Sequence, residues 1–252
     1  MTTACASVSS NFQSIAPSLL KVVMMTVTGQ TGQTGADDTW GHEKLVASLN
    51  DADAEGSLSV RKVVQTDRMR RPRGSFGNST ALQYRGENDA QNMCVKVFNN
   101  AVLHVAGCKT IDDFIVASSA AARVCKTTLV DFSINLINLQ FYLNGEPDKS
   151  KSLDLDVLAE DLRSRMATDR RVEDVIYNPD RFPGLRIKMR SEDGAPLRKR
   201  KRGPPTVDKG ATIMLFRNSC VKIAGVRDFA AAAIPYEFIT SVVDSQWAKL
   251  TT

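Results

Sequence analysis

The segment V-K-V-F-N-N-A-V-L-H-V-A-G-C-K, Val95 to Lys109, has a second copy in I-M-L-F-R-N-S-C-V-K-I-A-G-V-R, Ile213 to Arg227. Laid over each other, Phe98 meets Phe216, Asn100 meets Asn218, Ala106 meets Ala224 and Gly107 meets Gly225. Lys109 meets Arg227, so the positive charge at the end is kept. In both copies apolar residues alternate with others on either side of a short polar turn: Val95, Val97, Leu103 and Val105 in one, Ile213, Leu215, Val221 and Ile223 in the other. Period two around N-N or R-N-S is the pattern of a β-hairpin, in which alternate side chains share a face. Asn100 and Asn218 read as turn formers, because asparagine tolerates tight turns. The glycines at the end of each hairpin read as backbone-geometry positions.

Outward from the hairpins, the same ingredients recur. Thr110 with Asp113 three places on is a capping box, opening a helix over 110–127. The alanine-rich stretch 227–250 is its counterpart, with Pro235 as a candidate kink. Upstream, 21–28 and 132–143 are strand-like runs, followed by helical stretches at 39–49 and 153–166. The chain therefore reads as strand–helix–strand–strand–strand–helix, used twice about a hinge near 127–130. An antiparallel sheet with helices on one face is an α+β architecture, and its other face must meet water or a partner. The repeats fall at 18–128 and 129–252, after an N-terminal tail at 1–17. The Gly/Thr/Gln-rich segment 29–38 and the basic segment 191–210 read as loops.

With 252 residues, 42% hydrophobic and 24% charged, the chain has an ordinary globular composition. No apolar run approaches a membrane span, and Met1 to Val23 lacks the basic and apolar regions of a signal peptide, so an intracellular protein is expected. The net charge of +5 leans toward a polyanionic partner. Five widely spaced cysteines and two lone histidines, His42 and His104, form no metal-ligand pattern. The cysteines read as reduced thiols packed as small hydrophobes. No phosphate-binding loop, zinc-protease or serine-hydrolase signature occurs, so neither a catalytic residue nor a cofactor is expected. Asp154, Asp156, Glu160 and Asp161 read as a hydrated acidic helix face.

The stretch Tyr177-Asn178-Pro179-Asp180-Arg181-Phe182-Pro183-Gly184-Leu185 is close to Y-x-P-x-x-F-P-G-L, a segment of the TATA-box-binding protein (TBP) family. A basic strand follows it with Arg186, Lys188 and Arg190. Leu215–Ser219 and Ala224–Arg227 resemble that family's I-F-x-S-G and T-G-A-K. Met69-Arg70-Arg71-Pro72-Arg73 resembles an R-R-P-R run of its relatives in large DNA viruses. The resemblance spans 19–250 and is sharpest in the second repeat and the hairpins.

The resemblance implies a saddle-shaped, pseudo-twofold fold: a curved antiparallel sheet on the minor groove of DNA, with helices on its convex side. Phenylalanines of each repeat would wedge between base steps, Phe182 with Phe216 in the second repeat and Phe98 with Phe76 in the first. Lys109, Arg181, Lys188, Arg190 and Arg227 would form a phosphate-binding rim. Asn138 matches a base-contacting asparagine, and Met25 falls at its first-repeat equivalent. Ala106 and Ala224 stand where the family has threonines. Losing these donors implies a weak preference for TATA sequences and better tolerance of G·C pairs. The run Arg198-Lys199-Arg200-Lys201-Arg202 has three readings: a phosphate-gripping extension, a solvated loop or a nuclear-localisation signal. The implied partners are double-stranded DNA and general transcription-initiation factors or RNA polymerase, with a homodimer allowed when DNA is absent and no membrane. The implied locations are the host nucleus, a viral replication site or the virion. A saddle-like interaction module without DNA binding is the rival reading. A base-excision glycosylase is the enzymatic one, and no helix-hairpin-helix region supports it.

Overall fold

The computed structural model of the chain describes residues 15–32, 42–51, 58–60, 79–85, 92–145, 152–190 and 210–251. Phe76, the 69–73 run and Arg198, Lys199, Arg200, Lys201 and Arg202 lie outside them. In chain order the elements are β1 (Lys21–Thr31), α1 (His42–Asp51), β2 (Leu58–Val60), β3 (Ser79–Arg85), β4 (Asn92–Phe98), β5 (Leu103–Cys108) and α2 (Ile111–Val124). There follow β6 (Leu129–Tyr142), α3 (Leu155–Arg165), β7 (Val172–Asn178), β8 (Phe182–Met189), β9 (Thr212–Leu215), β10 (Cys220–Val226), α4 (Ala233–Asp244) and α5 (Trp247–Leu250). Among the described residues each repeat thus holds four strands between its helices, one more than the sequence suggests. Leu58–Val60 is too short for a visible alternation, and in β7 Glu173 and Asp174 interrupt the apolar pattern.

The described residues form two compact units. The N-terminal unit comprises Val22–Leu139 and Val226–Phe229, with strand order β2-β3-β4-β5-β1-β6. The C-terminal unit comprises Gln140–Gly225 and Ala230–Thr252 with the residues up to Lys21; there the end of β6 continues as β6-β10-β9-β8-β7. The resolved strand pairings are antiparallel. The contact boundary falls inside β6 rather than at 128/129, because the first part of β6 packs against β1. The amide of Gly32 donates to Thr128 O at 3.0 Å, and the Asn135 amide bonds Thr28 Oγ1. Gly29, expected in a loop, belongs to β1 opposite Leu103. A Cβ there would sit 2.6 Å from Leu129 Cδ1 and 3.1 Å from Phe114 Cζ, so the strand runs where only hydrogen fits.

Helices cover one sheet face in each unit. In the N-terminal unit α2 packs on β4 and β5, and Met93, Val95, Val97, Leu103 and Val105 are buried beneath. Thr110 caps α2 as its sequence requires: its Oγ1 accepts from Asp113 N, and Asp113 Oδ2 accepts from Thr110 N. In the C-terminal unit α3 and α4 close over Val172, Val175, Leu185, Ile187, Ile213 and Leu215. The expected helix over 227–250 is instead a 3-10 turn at Ala230–Ala232, then α4 and α5. Pro235 starts α4 rather than kinking it. It is the third residue, where an amide hydrogen would have no intrahelical acceptor. The acids of 154–161 are largely engaged. Asp154 caps α3, Asp156 lies 3.6 Å from Arg217, and Asp161 meets Arg165 and Gln246, both at 2.7 Å. Burial pushes the thiols of Cys108 and Cys125 up to about 12, the behaviour of packed apolar groups. No helix among the described residues is long and apolar enough to cross a membrane.

The two hairpins close alike. Phe98 N donates to Val102 O at 2.9 Å, and Phe216 N to Cys220 O at 2.9 Å. Asn100 Oδ1 accepts from Val102 N and Asn218 Oδ1 from Cys220 N, so both asparagines build the turns. The last turn residue has positive φ without being glycine: Ala101 at 58° and Ser219 at 64°. Ser219 is also 1% exposed, and its Oγ meets no hydrogen-bond partner. Left-handed backbone costs a side-chain-bearing residue about 1 kcal/mol, and a buried orphan hydroxyl costs more. Ser219→Gly removes both. Thermal or urea unfolding should show it more stable by about 1–2 kcal/mol; an unchanged or lower midpoint would contradict the strain.

Candidate nucleic-acid interface

Strand side chains have two directions, and the helices take one of them. Register then assigns the residues of the other, open face. In the C-terminal unit Ile176 pairs with Arg186, Arg186 with Met214 and Met214 with Lys222, which forms one row across four strands. Asp174, Lys188, Thr212 and Ala224 form the next. Phe182 and Gly184 precede Arg186 on the same side of β8, and Phe216 follows Met214.

Phe182 and Phe216, picked out by the sequence, meet here. Their ring centroids are 5.7 Å apart in an edge-to-face arrangement, and both residues are half-buried. They lie over Gly184, where a Cβ would stand 2.8 Å from Phe182 Cε1 and 2.9 Å from Phe216 Cε1. The glycine of F-P-G-L is therefore a floor for two rings, and any side chain would lift them. Cations flank the pair: the Arg186 guanidinium carbon is 5.5 Å from the Phe182 centroid, and Lys222 Nζ is 5.6 Å from that of Phe216. At that range a cation is attracted by the ring face, worth about 0.5–1 kcal/mol where water has access. The two rings and the cations beside them thus hold each other in place.

The remaining candidates divide. Arg181, Arg190 and Arg227 are exposed at strand ends, and Lys109 is exposed just after β5. Lys188 is on the open face, but its Nζ is 3.7 Å from Asp174 Oδ2, with both side chains over two-fifths exposed. An ion pair that wet contributes little to stability. Asp174 still places a negative charge in the row. Ala106 and Ala224 are on the open faces, opposite Thr26 and Thr212. Gly107 and Gly225, next in each copy, have φ of 103° and 93°, which side-chain-bearing residues rarely adopt.

Met25 is a correction. It is 1% exposed, opposite buried Cys108, and faces the helices. A register shift between Met25 and Thr26 leaves Thr26 opposite Ala106, so a threonine stands in the row where methionine was expected. Asn138 lies between buried Ile137 and Leu139 in β6, hence on the open side, and its Oδ1 is enclosed without a hydrogen-bond partner.

In the N-terminal unit Phe98 ends β4 opposite Ser79, in line with Cys94 and Lys96 on the open face. Two rows cross this unit. One is Thr26, Ala106, Cys94, Gln83; the other is Thr28, His104, Lys96, Ala81, with Asn135 bonded to Thr28. Sequence reasoning missed Lys96, His104, Arg186, Met214 and Lys222 as open-face residues. The signal was available, since each occupies the polar phase of its strand.

Neither a family model nor a curated protein matches the chain. Among solved structures it is similar to the TBP of Methanococcus jannaschii, with a TM-score of 0.51 and 14% sequence identity over 90% of this chain and 98% of that one. At that identity the likeness is one of fold, and this chain has a TBP-like α+β fold with an antiparallel sheet.

Proposed function

We propose that the chain is a non-enzymatic, minor-groove DNA-binding and bending protein acting in transcription initiation. The observation that carries this reading is the Phe182–Phe216 pair, poised over Gly184 and flanked by Arg186 and Lys222 on a helix-free sheet face. Such a pair is built for wedging. Unstacking a base step costs a few kcal/mol, and a ring that stacks on the exposed base returns about 1–3 kcal/mol. Arg186, Lys188 and Lys222, with Arg181, Arg190, Lys109 and Arg227 around the strands, would release counterions from phosphates. Phe98 serves the N-terminal unit, with Phe76 as its candidate partner.

Base readout is thin. Ala106 and Ala224 offer the groove no hydrogen-bond donor and leave room for the guanine N2 amino group, so tolerance of G·C pairs follows. Thr26, opposite Ala106, and Asn138, on the open side of β6, are candidate base contacts. Initiation factors or polymerase would dock on the helices. The R-R-P-R run supports a viral relative, acting in the nucleus or at a viral replication site. The basic run 198–202 is a candidate phosphate grip.

Equilibrium binding to short duplexes of mixed composition tests the reading. Wild type should bind, and Phe182→Ala with Phe216→Ala should weaken binding at least tenfold, about 1.4 kcal/mol. No binding by wild type would support the rival interaction module. A selection from randomised duplexes should return a loose consensus that admits G·C pairs; a strict TATAAA would contradict the role given to the alanines. Asp174→Asn removes a repulsive carboxylate and frees Lys188. Its affinity should rise, and the slope of log affinity against log salt should steepen by up to about 0.9 per added phosphate contact. An unchanged slope would take Lys188 off the DNA.

A further inference from the structure

Two open-face positions differ between the hairpins: Lys96 aligns with Met214, and the second difference lies on the strand after the turn. The C-terminal unit carries Lys222 there; the N-terminal unit carries His104 at the same step of the repeat. Register confirms the equivalence, since Lys222 pairs with Met214 on β9 and His104 pairs with Lys96 on β4. We propose that His104 is a proton-dependent DNA contact of the N-terminal unit. It is neutral when the protein is free near neutral pH and becomes a cation toward phosphate when DNA is bound or the pH falls. The proposal rests on the DNA-binding reading above and adds which residue makes one hold conditional.

His104 is half-buried in the row Thr28–His104–Lys96. Among the described residues the titratable groups facing it are Lys96 and, diagonally, Cys94, both on β4. From β1 come the hydroxyls of Thr28 and Thr26, and from β6 the amide of Asn135 held on Thr28. No carboxylate joins this row, so nothing among the described residues in it favours the imidazolium. Burial first, and then the Lys96 charge, lower its pKa below the ordinary histidine value. The sign of the effect follows. A depressed pKa means the free protein resists protonation; a phosphate brought near stabilises the cation and raises the pKa. Binding therefore takes up a proton, and affinity rises as pH falls from the bound-state pKa toward the free-state one. Lys222 gives the C-terminal unit a lysine ammonium at the equivalent step. The chain has only two histidines, His42 and His104, so little else titrates in this window.

The test is anisotropy of a labelled mixed-sequence duplex with the full chain at constant ionic strength, at about pH 8 and about pH 5.5. Wild type should bind about tenfold tighter at the lower pH, the equivalent of one pKa unit. His104→Gln should stay at the weak level and His104→Lys at the tight level at both pH values. Lys222→His should add a second pH-dependent step, and His42→Gln should leave the wild-type profile intact. An NMR titration of the His104 ring gives a second readout: its pKa should rise on adding duplex. A flat wild-type profile, a His104→Gln variant that keeps the full pH dependence, or an imidazole pKa unmoved by DNA overturns the proposal while leaving DNA binding standing. Wild type failing to bind at either pH overturns the DNA-binding reading itself.

Discussion

A side chain in a strand can point only to one face or the other, and in each unit the helices have claimed one of them. Everything distinctive about this molecule follows from what remains on the second. The buried phase holds Val95, Val97, Leu103 and Val105 in one unit and Ile187, Ile213, Leu215 and Ile223 in the other, all fully buried. Such residues remove most of their apolar surface from water, about 1.5–3 kcal/mol each, and this pins the register. A one-residue slip would bury Arg186, Lys222, Lys96 and His104 and expose the core. The apolar phase thus fixes, without touching them, which groups stay on the open face.

Within the C-terminal unit the open face is arranged around an absence. Gly184 contributes no side chain, and two phenyl rings occupy the space above it. The two half-buried rings meet edge to face, and Arg186 and Lys222 each lie against one of them. The N-terminal unit repeats the hairpin but not the charge. Where one unit has Arg186, Lys188 and Lys222 on its open face, the other has Lys96 and a histidine. The internal repeat has kept the backbone, including positive φ at Ala101, Ser219, Gly107 and Gly225, while its chemistry diverged.

Much of this was legible in the sequence, because period two and capping are local signals. The hairpins, the Thr110–Asp113 cap and the helix-free face follow from residues a few places apart. Phe182 and Phe216 are far apart in the chain; a motif resemblance, not periodicity, relates them. What escaped was non-local. Met25 was placed on the open face because a register shift cannot be read from an unbroken run of apolar residues. β7 was hidden by Glu173 and Asp174, whose acidity suits a half-open strand only once its neighbour Lys188 is known. Pro235 read as a kink because a proline inside a helical stretch looks the same whether a helix starts or bends there.

The central claim is that the Phe182–Phe216 pair opens a base step and bends the duplex. Fluorescence transfer between dyes at the two ends of a short duplex measures that bend directly. Saturating wild-type protein should shorten the end-to-end distance, and Phe182→Ala with Phe216→Ala, at concentrations high enough to restore saturation, should leave the duplex close to straight. An equal bend with both rings removed, or no bend with wild type bound, would contradict the account.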